Sequence, residues 1–226
     1  MNNLKGVGVA LVTPFNEDLS VDFDSLTRLI EYNIENGTNY LVVLGTTAEA
    51  ATLSKEEKKE VIKHVIKINS KRLPLVLGIG GNNTLEVKKQ IEETDLSDFD
   101  AVLSVSPYYN KPNQEGLYQH YKALAETGKQ IIIYNVPGRT GQNIEAATTV
   151  RLAKEFPNLF MIKEACPNIN QYFDILRTKP EGFSLVSGDD EFALPVTLAG
   201  GDGVISVIGQ GYPKEFSTML QLAFEG

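Results

Sequence analysis

The chain has 226 residues and is short of several features that mark particular classes of protein. Its single cysteine, Cys166, cannot form a disulfide within the chain, which is typical of proteins kept in a reducing compartment. No run approaches the roughly 18 apolar residues of a membrane-spanning helix. The first residues, MNNLKGVGVALVTPF, lack the charged start and the apolar length of a secretion signal. We therefore expect a cytoplasmic protein with no membrane partner.

Positive charge is also in short supply, because 21 lysines and arginines face 29 aspartates and glutamates, for a net charge of −8. This balance opposes binding to the phosphates of nucleic acids, so no nucleic-acid partner is expected. The two histidines, His64 and His120, form neither an HExxH motif nor a Cys/His cluster, and no metal site is predicted. Both fall in helical patterns, where we interpret them as surface or helix-packing residues. Neither GxGxxG nor GxxxxGK[ST] is completed, so nucleotide binding is not indicated.

What the chain does contain is a regular alternation of short β-rich runs and amphipathic helical patterns. The β-rich runs are VGVALV, YLVVLG, PLVLGIG, AVLSVS, QIIIYNV, LFMIK, FSLVSG and GVISVIG. Each is nearly continuous in apolar residues, which is typical of strands buried on both faces of a parallel sheet. Turn-forming residues follow each run.

Helical patterns occupy the intervals between these runs. They cover residues 22–36, 54–68, 114–127, 144–156, 169–177, 189–198 and 212–224. Ser54 and Glu57 have the spacing of a capping box, whereas the pattern over 189–198 is interrupted by Pro195. Eight strands alternating with helices predict a (β/α)₈ TIM barrel, with a doubly wound open sheet as the alternative. No linker or change of composition interrupts the chain, so we expect one barrel domain over residues 1–226.

Polar residues collect where the predicted strands end. The segments GTTAE, SPYYN, YNVPGRT, KE and SGDD each follow an apolar run directly. Because the active groups of TIM barrels lie at the C-terminal ends of the strands, these segments are expected to meet on one rim. The pattern therefore predicts an active site there without specifying its reaction.

Lys163 is the most unusual residue of this rim, since it ends the apolar run LFMI. Burial would disfavour its charged form and lower its pKa, and a neutral amine can attack a carbonyl to form a Schiff base. A lysine that reaches solvent is the alternative, and from the residues alone both interpretations stay open. Tyr134, on the neighbouring strand, either passes protons to such an intermediate or fills the core.

Three further rim residues have similar alternatives. Thr46 and Thr47 are either turn residues or hydroxyl groups suited to a proton relay and a carboxylate. Arg139 is either solvated in a loop or a bidentate clamp for a substrate carboxylate. Each functional interpretation depends on the three residues lying close to Lys163.

The motifs GVGVALVTPF, LGTTAEAATLS, SPYYNKPNQEGLYQHY, YNVPGRTG, IKEA, SGDD and GGDGVISV occur in this order from the first strand to the eighth. In this the chain resembles the dihydrodipicolinate synthase family of pyruvate-dependent class I aldolases, which also includes N-acetylneuraminate lyase. The resemblance implies a lyase that condenses pyruvate with L-aspartate-4-semialdehyde to 4-hydroxy-tetrahydrodipicolinate in lysine and diaminopimelate biosynthesis. It implies no cofactor, because the reaction proceeds through a lysine imine.

The resemblance also implies roles for individual residues. Lys163 corresponds to the Schiff-base lysine and Tyr134 to the proton-relay tyrosine. Thr46 corresponds to the hydroxyl that links Tyr134 to a second tyrosine. That tyrosine, Tyr109, is expected to come from the neighbouring subunit of a tight dimer, which implies a homodimer or homotetramer.

The substrate-binding residues follow from the same motifs. Thr47 corresponds to a residue that holds the pyruvate carboxylate, and Gly188 and Ile205 to residues that line the pocket. Arg139 corresponds to the arginine that binds the carboxylate of the aldehyde, which favours the synthase over the sialic-acid lyase.

Two alternatives and two departures accompany this resemblance. The alternatives are a related aldolase acting on a 2-keto-3-deoxy sugar acid and a non-catalytic ligand-binding barrel. Ala48 replaces the glycine usual after GTT, so a positive φ there would be strained. Members of the family usually continue with a C-terminal helical region that is absent from this chain, and we expect either a truncated chain or a naturally short variant.

Lysine feedback inhibition is predicted to be weak or absent. Ala50, Lys55 and Lys58 occupy positions where lysine-sensitive members carry a serine and two histidines, and two added cations oppose binding of a cationic effector. Tyr108 and Glu86 still match effector-site positions. The measurement is an inhibition curve against free lysine. Half-maximal inhibition at a submillimolar concentration would contradict the prediction.

Overall fold

The computed structural model describes residues 4–226, so the first three residues of the segment inspected for a secretion signal lie outside it. Eight parallel strands close into a barrel in chain order, β1 pairing with both β2 and β8. The strands are β1 Gly6–Ala10, β2 Tyr40–Val43, β3 Leu75–Gly78, β4 Ala101–Val105, β5 Ile131–Asn135, β6 Leu159–Glu164, β7 Ser184–Ser187 and β8 Gly203–Ser206. The prediction of a (β/α)₈ barrel is confirmed, and the open sheet is excluded by the closing β1–β8 pair.

Helices surround the barrel. They are α1 Phe23–Glu35, α2 Lys55–Asn69, α3 Thr84–Glu93, α4 Gln114–Ala125, α5 Pro137–Thr140, α6 Ala146–Glu155, α7 Ile169–Thr178, α8 Ala193–Leu198 and α9 Pro213–Glu225. The capping box at the start of α2 is present, with Ser54 and Glu57 bonded reciprocally. None of the helices in residues 4–226 combines the length and the hydrophobicity needed to cross a bilayer.

Three helical segments differ from the sequence-based expectation. The helix expected over 189–198 divides into a 3-10 turn, Asp190–Phe192, and α8, in whose first turn Pro195 lies. Proline is tolerated there because the N–H groups of a first turn have no partner within the helix. Helix α3 is not among the helical patterns predicted from the sequence, because Val87 and Ile91 are its only buried residues. The short α5 follows β5 directly, and Pro137 begins it.

Both histidines lie in the layer of helices outside the barrel. His120 of α4 is buried and its Nδ1 lies 2.8 Å from the hydroxyl of Thr84 at the start of α3. His64 of α2 has its Nε2 2.8 Å from the hydroxyl of Thr27 in α1. Burial lowers the pKa of His120 to about 4, so the imidazole is neutral at physiological pH. Both histidines therefore pack neighbouring helices together, as the sequence suggested.

The phase of β6 is set by an irregularity in its pairing with β5. Ile131 pairs with Leu159, but Ile132 pairs with Met161, so Phe160 is an extra residue on β6. Because side chains alternate between the two faces of a strand, this shift determines which residues of β6 face the barrel interior. Met161 belongs to the interior cluster, whereas the next residue packs outwards against the helices. Lys163, two residues after Met161, therefore faces inwards.

The ring of Tyr40, the first residue of β2, packs closely against β1 inside the barrel. Tyr40 is fully buried inside, and a Cβ atom at Gly8 would lie 2.1 Å from its ring. Only glycine at position 8 leaves the ring room. The barrel closes around this tyrosine.

We expect Gly8→Ala to lower the free energy of unfolding by about 2 kcal/mol or more, because the added methyl overlaps a buried ring. Chemical denaturation measures the effect. Gly211→Ala is the control, because the nearest atom to its added Cβ is 3.8 Å away. Equal stability of the two variants would contradict the prediction.

Candidate active site

Lys163 lies at the C-terminal end of β6 and points into the barrel, where its side chain is 5% exposed. In the β5–β6 ladder it stands opposite Tyr134, and its Nζ lies 4.4 Å from the centre of the Tyr134 ring. A lysine that reaches solvent is therefore excluded. The phenol ring and the amine share one sheltered space at the mouth of the barrel.

Burial lowers the pKa of Lys163 from 10.5 to about 8. The carboxylates of Asp189 and Asp190 oppose this change, and the guanidinium of Arg139 adds to it. At pH 7 a pKa of about 8 leaves roughly one amine in ten neutral, against roughly one in three thousand at the ordinary value. The barrel thus raises the population of the nucleophilic form several-hundred-fold by withholding water.

Gly188, after β7, makes room for this side chain. A Cβ atom there would lie 3.0 Å from Cε of Lys163 and 2.7 Å from Cβ of Ala165. Its N–H donates to the carbonyl oxygen of Glu164 at 2.6 Å, which keeps the two strand ends together. The predicted pocket residue therefore lies beside the lysine, and its lack of a side chain leaves room for Cε of Lys163.

Tyr134 is 6% exposed, and burial raises the pKa of its phenol. The side chain of Thr46 and the charge of Arg139 lower that pKa, while the charge of Asp189 raises it. A protonated phenol beside a neutral amine can both donate and accept protons during imine chemistry. Thr46 and Arg139 therefore both lower the pKa of Tyr134, and their expected roles in a proton relay and in substrate binding stay predictions.

The turn that carries Thr46 depends on a close approach between the backbones of Leu44 and Gly78. Leu44 has a φ of 55°, and a Cβ atom at Gly78 would lie 2.3 Å from the carbonyl oxygen of Leu44. Thr46 and Thr47 then begin the 3-10 turn Thr46–Ala48. Ala48 is not strained, because the left-handed conformation falls on the following residue, Glu49, with a φ of 52°.

The remaining predicted residues differ in how deeply they are buried. Arg139 is exposed on α5, which ends at Gly141 with a φ of 72°. Ile205 is fully buried in β8 and belongs to the interior cluster that contains Tyr134. Tyr109 has a φ of 73° and is 90% exposed, and its hydroxyl makes no hydrogen bond to residues 4–226. Its predicted role in a neighbouring subunit stays a prediction.

The two carboxylates after β7, in the SGDD segment, have no role predicted from the sequence. Asp190 accepts hydrogen bonds from the hydroxyl of Ser206 at 2.5 Å and from the N–H groups of Val207 and Ile208 at 3.2 and 2.9 Å. Asp189 is half-buried, and burial raises the pKa of its carboxyl group. Both place negative charge beside Lys163. Among the described residues, no three His, Cys, Asp or Glu side chains converge as metal ligands would.

Residues 3–226 match the model of the Dihydrodipicolinate synthetase family. The chain belongs to this family. It is 58% identical over 221 residues to a relative from Flavobacterium psychrophilum named 4-hydroxy-tetrahydrodipicolinate synthase, a match that covers 97% of this chain and 75% of the relative.

Solved structures of the family share the fold. The dihydrodipicolinate synthase of Thermotoga maritima superposes with a TM-score of 0.96 at 40% identity, over 100% of this chain and 77% of the other. The chloride-inhibited dihydrodipicolinate synthase of Acinetobacter baumannii, solved in complex with pyruvate, gives 0.94 at 45% identity, over 98% and 76%.

The pH dependence of pyruvate capture should move when a neighbouring charge is removed. The carboxylate of Asp189 raises the pKa of Lys163, so Asp189→Asn is expected to lower that pKa and shift the acid limb of imine formation to lower pH. Borohydride trapping of the pyruvate adduct at several pH values measures it. Glu191→Gln removes a carboxylate from the same turn and should leave the limb in place. A shift to higher pH in Asp189→Asn would contradict the assignment.

Proposed function

We propose that the chain condenses pyruvate with L-aspartate-4-semialdehyde to give 4-hydroxy-tetrahydrodipicolinate, a step of lysine and diaminopimelate biosynthesis. The observation that carries this proposal is the buried amine of Lys163 against the ring of Tyr134, with a pKa of about 8. Membership of the family and the names of the relatives support it.

The first half of the reaction captures pyruvate. Nζ of Lys163 attacks the keto carbon, and loss of water from the carbinolamine gives an imine. Tyr134 supplies and removes the protons that these steps require. Loss of a proton from the methyl carbon converts the imine to an enamine, so the lysine nitrogen serves as the electron sink. Thr47 holds the pyruvate carboxylate, and Gly188 and Ile205 shape the pocket.

The second half adds the aldehyde. Arg139 binds the carboxylate of aspartate semialdehyde, and the enamine carbon attacks the aldehyde carbon, whose oxygen takes a proton. The substrate's own amine then displaces Lys163 by transimination, which closes the ring and frees the enzyme. Thr46 connects Tyr134 to Tyr109, which is proposed to come from the neighbouring subunit.

The proposal also covers the assembly and the cellular location of the protein. The chain acts as one barrel domain in a homodimer or homotetramer, and its place is the cytoplasm, where pyruvate is present. An aldolase acting on a 2-keto-3-deoxy sugar acid and a non-catalytic barrel are the other candidates. Neither is favoured, because the relatives that match are named as the synthase and Lys163 and Tyr134 are in contact.

Incubation with pyruvate followed by borohydride reduction should give an adduct on the peptide that contains Lys163. Lys163→Ala should form no adduct and lose at least about 1,000-fold in turnover with pyruvate and aspartate semialdehyde. Lys154→Ala removes an exposed lysine of α6 and serves as the control. A folded wild-type protein without an adduct would refute the proposal, and an adduct without turnover would support the non-catalytic barrel.

A further inference from the structure

Glu164 lies directly behind the proposed catalytic lysine and has no part in the mechanism so far. It follows Lys163 in β6, so its side chain points to the opposite face of the sheet, towards the helices. The side chain is completely buried. No lysine or arginine among residues 4–226 forms an ion pair with it.

Hydrogen bonds take the place of a cation. Oε1 accepts from Nδ2 of Asn135 at 2.7 Å and from the backbone N–H of Cys166 at 2.8 Å. Oε2 accepts from Nε2 of Gln171 at 2.9 Å. Three donors from β5, the loop after β6 and α7 therefore converge on one carboxylate. An ionised carboxylate suits this arrangement because it only accepts.

Two of these donors, Asn135 and Gln171, also hold the loop that follows α5, the helix that carries Arg139. The amide of Asn135 also donates to Oδ1 of Asn143 at 2.8 Å, and its oxygen accepts the N–H of Ile144 at 2.9 Å. Gln171 donates to the carbonyl oxygen of Ile144 at 3.1 Å and accepts from Nδ2 of Asn143 at 2.7 Å. Glu164 thus fixes both side chains that tie residues 143–144 to the barrel wall.

The carboxylate is costly to keep in this position. Burial raises the pKa of Glu164 to about 7, although the hydrogen bonds from Gln171, Asn135 and Cys166 lower it. A neutral side chain of the same size would avoid the desolvation cost. Such a side chain, a glutamine, would also point its NH₂ group at the N–H groups that now donate to Glu164. The amides of Gln171 and Asn143 would have to rotate in response.

We propose that Glu164 is a positioning residue that holds the loop after α5, and with it Arg139 and the aldehyde subsite, in register with Lys163. This inference rests on the proposed function, since it assigns Arg139 to the aldehyde carboxylate. Lys163 itself is placed by packing inside the barrel, against Tyr134 and Gly188. Arg139 is exposed on α5, so its position depends on how the loop after this helix is anchored.

The test separates the two substrates. Glu164→Gln is expected to raise the KM for aspartate semialdehyde about tenfold, because a displaced positioning group weakens one substrate contact. The KM for pyruvate and the yield of the borohydride-trapped adduct should stay within about twofold of wild type. Glu60→Gln makes the same chemical change at an exposed position of α2 and should alter neither substrate's KM.

A double variant shows whether Glu164 acts through Arg139. In an Arg139→Ala background, Glu164→Gln should add less than about twofold to the aldehyde KM, since the group it positions is gone. Should Glu164→Gln fail to fold, Asn143→Ala cuts the loop's side of the network without touching β6, and the same selective loss for the aldehyde is expected.

Equal losses for pyruvate and the aldehyde, full additivity with Arg139→Ala, or an unchanged aldehyde KM would each overturn the inference. Failure of the proposed function is a different result: the wild-type protein itself would then form no pyruvate adduct. The wild-type protein would also show no turnover with aspartate semialdehyde. The wild-type measurements are made first, so the two failures are distinguishable.

Discussion

The exclusion of water from one amine governs the arrangement of this barrel mouth. Lys163 places its nitrogen over the ring of Tyr134, at a depth in the barrel mouth where both residues are buried. An ammonium ion would lose its hydration there, and the neutral amine loses much less, so the pKa falls to about 8. The same burial that makes the residue a nucleophile also limits what can stand next to it, which explains why position 188 is a glycine.

Rigidity of the rim follows from hydrogen bonds that join one loop to the next. The hydroxyl of Thr13, after β1, donates to the carbonyl oxygen of Ala48 at 2.8 Å, and the N–H of Val12 donates to Gln210, after β8, at 2.7 Å. Asp190 joins the loops after β7 and β8. Each link satisfies polar groups of a loop that would otherwise rely on water. A site assembled from several loops keeps its geometry because the loops constrain one another.

Two faces of β6 divide the work at this site. The inner face presents Lys163 to the barrel interior, and the outer face presents Glu164 to the helical layer. The register shift at Phe160 sets this phase, since uninterrupted pairing with Phe160 opposite Ile132 would exchange the inward and outward residues. An irregularity three residues before Lys163, roughly 10 Å along the strand at ~3.3 Å per residue, therefore decides which of two adjacent ionisable groups faces the barrel interior.

The sequence by itself determined the eight-stranded alternation, the rim that carries the polar segments, and the identity of Lys163 as its unusual member. These follow from local periodicity and from the rule that parallel strands end on the same side. It did not reveal α3, whose buried stripe is only two residues wide, or the division of the segment over 189–198. Only the tertiary structure decided that Lys163 is buried rather than solvated. It alone brought Asn135, Asn143, Glu164 and Gln171 together, because burial and hydrogen bonding between residues distant in the chain depend on how the strands and helices pack.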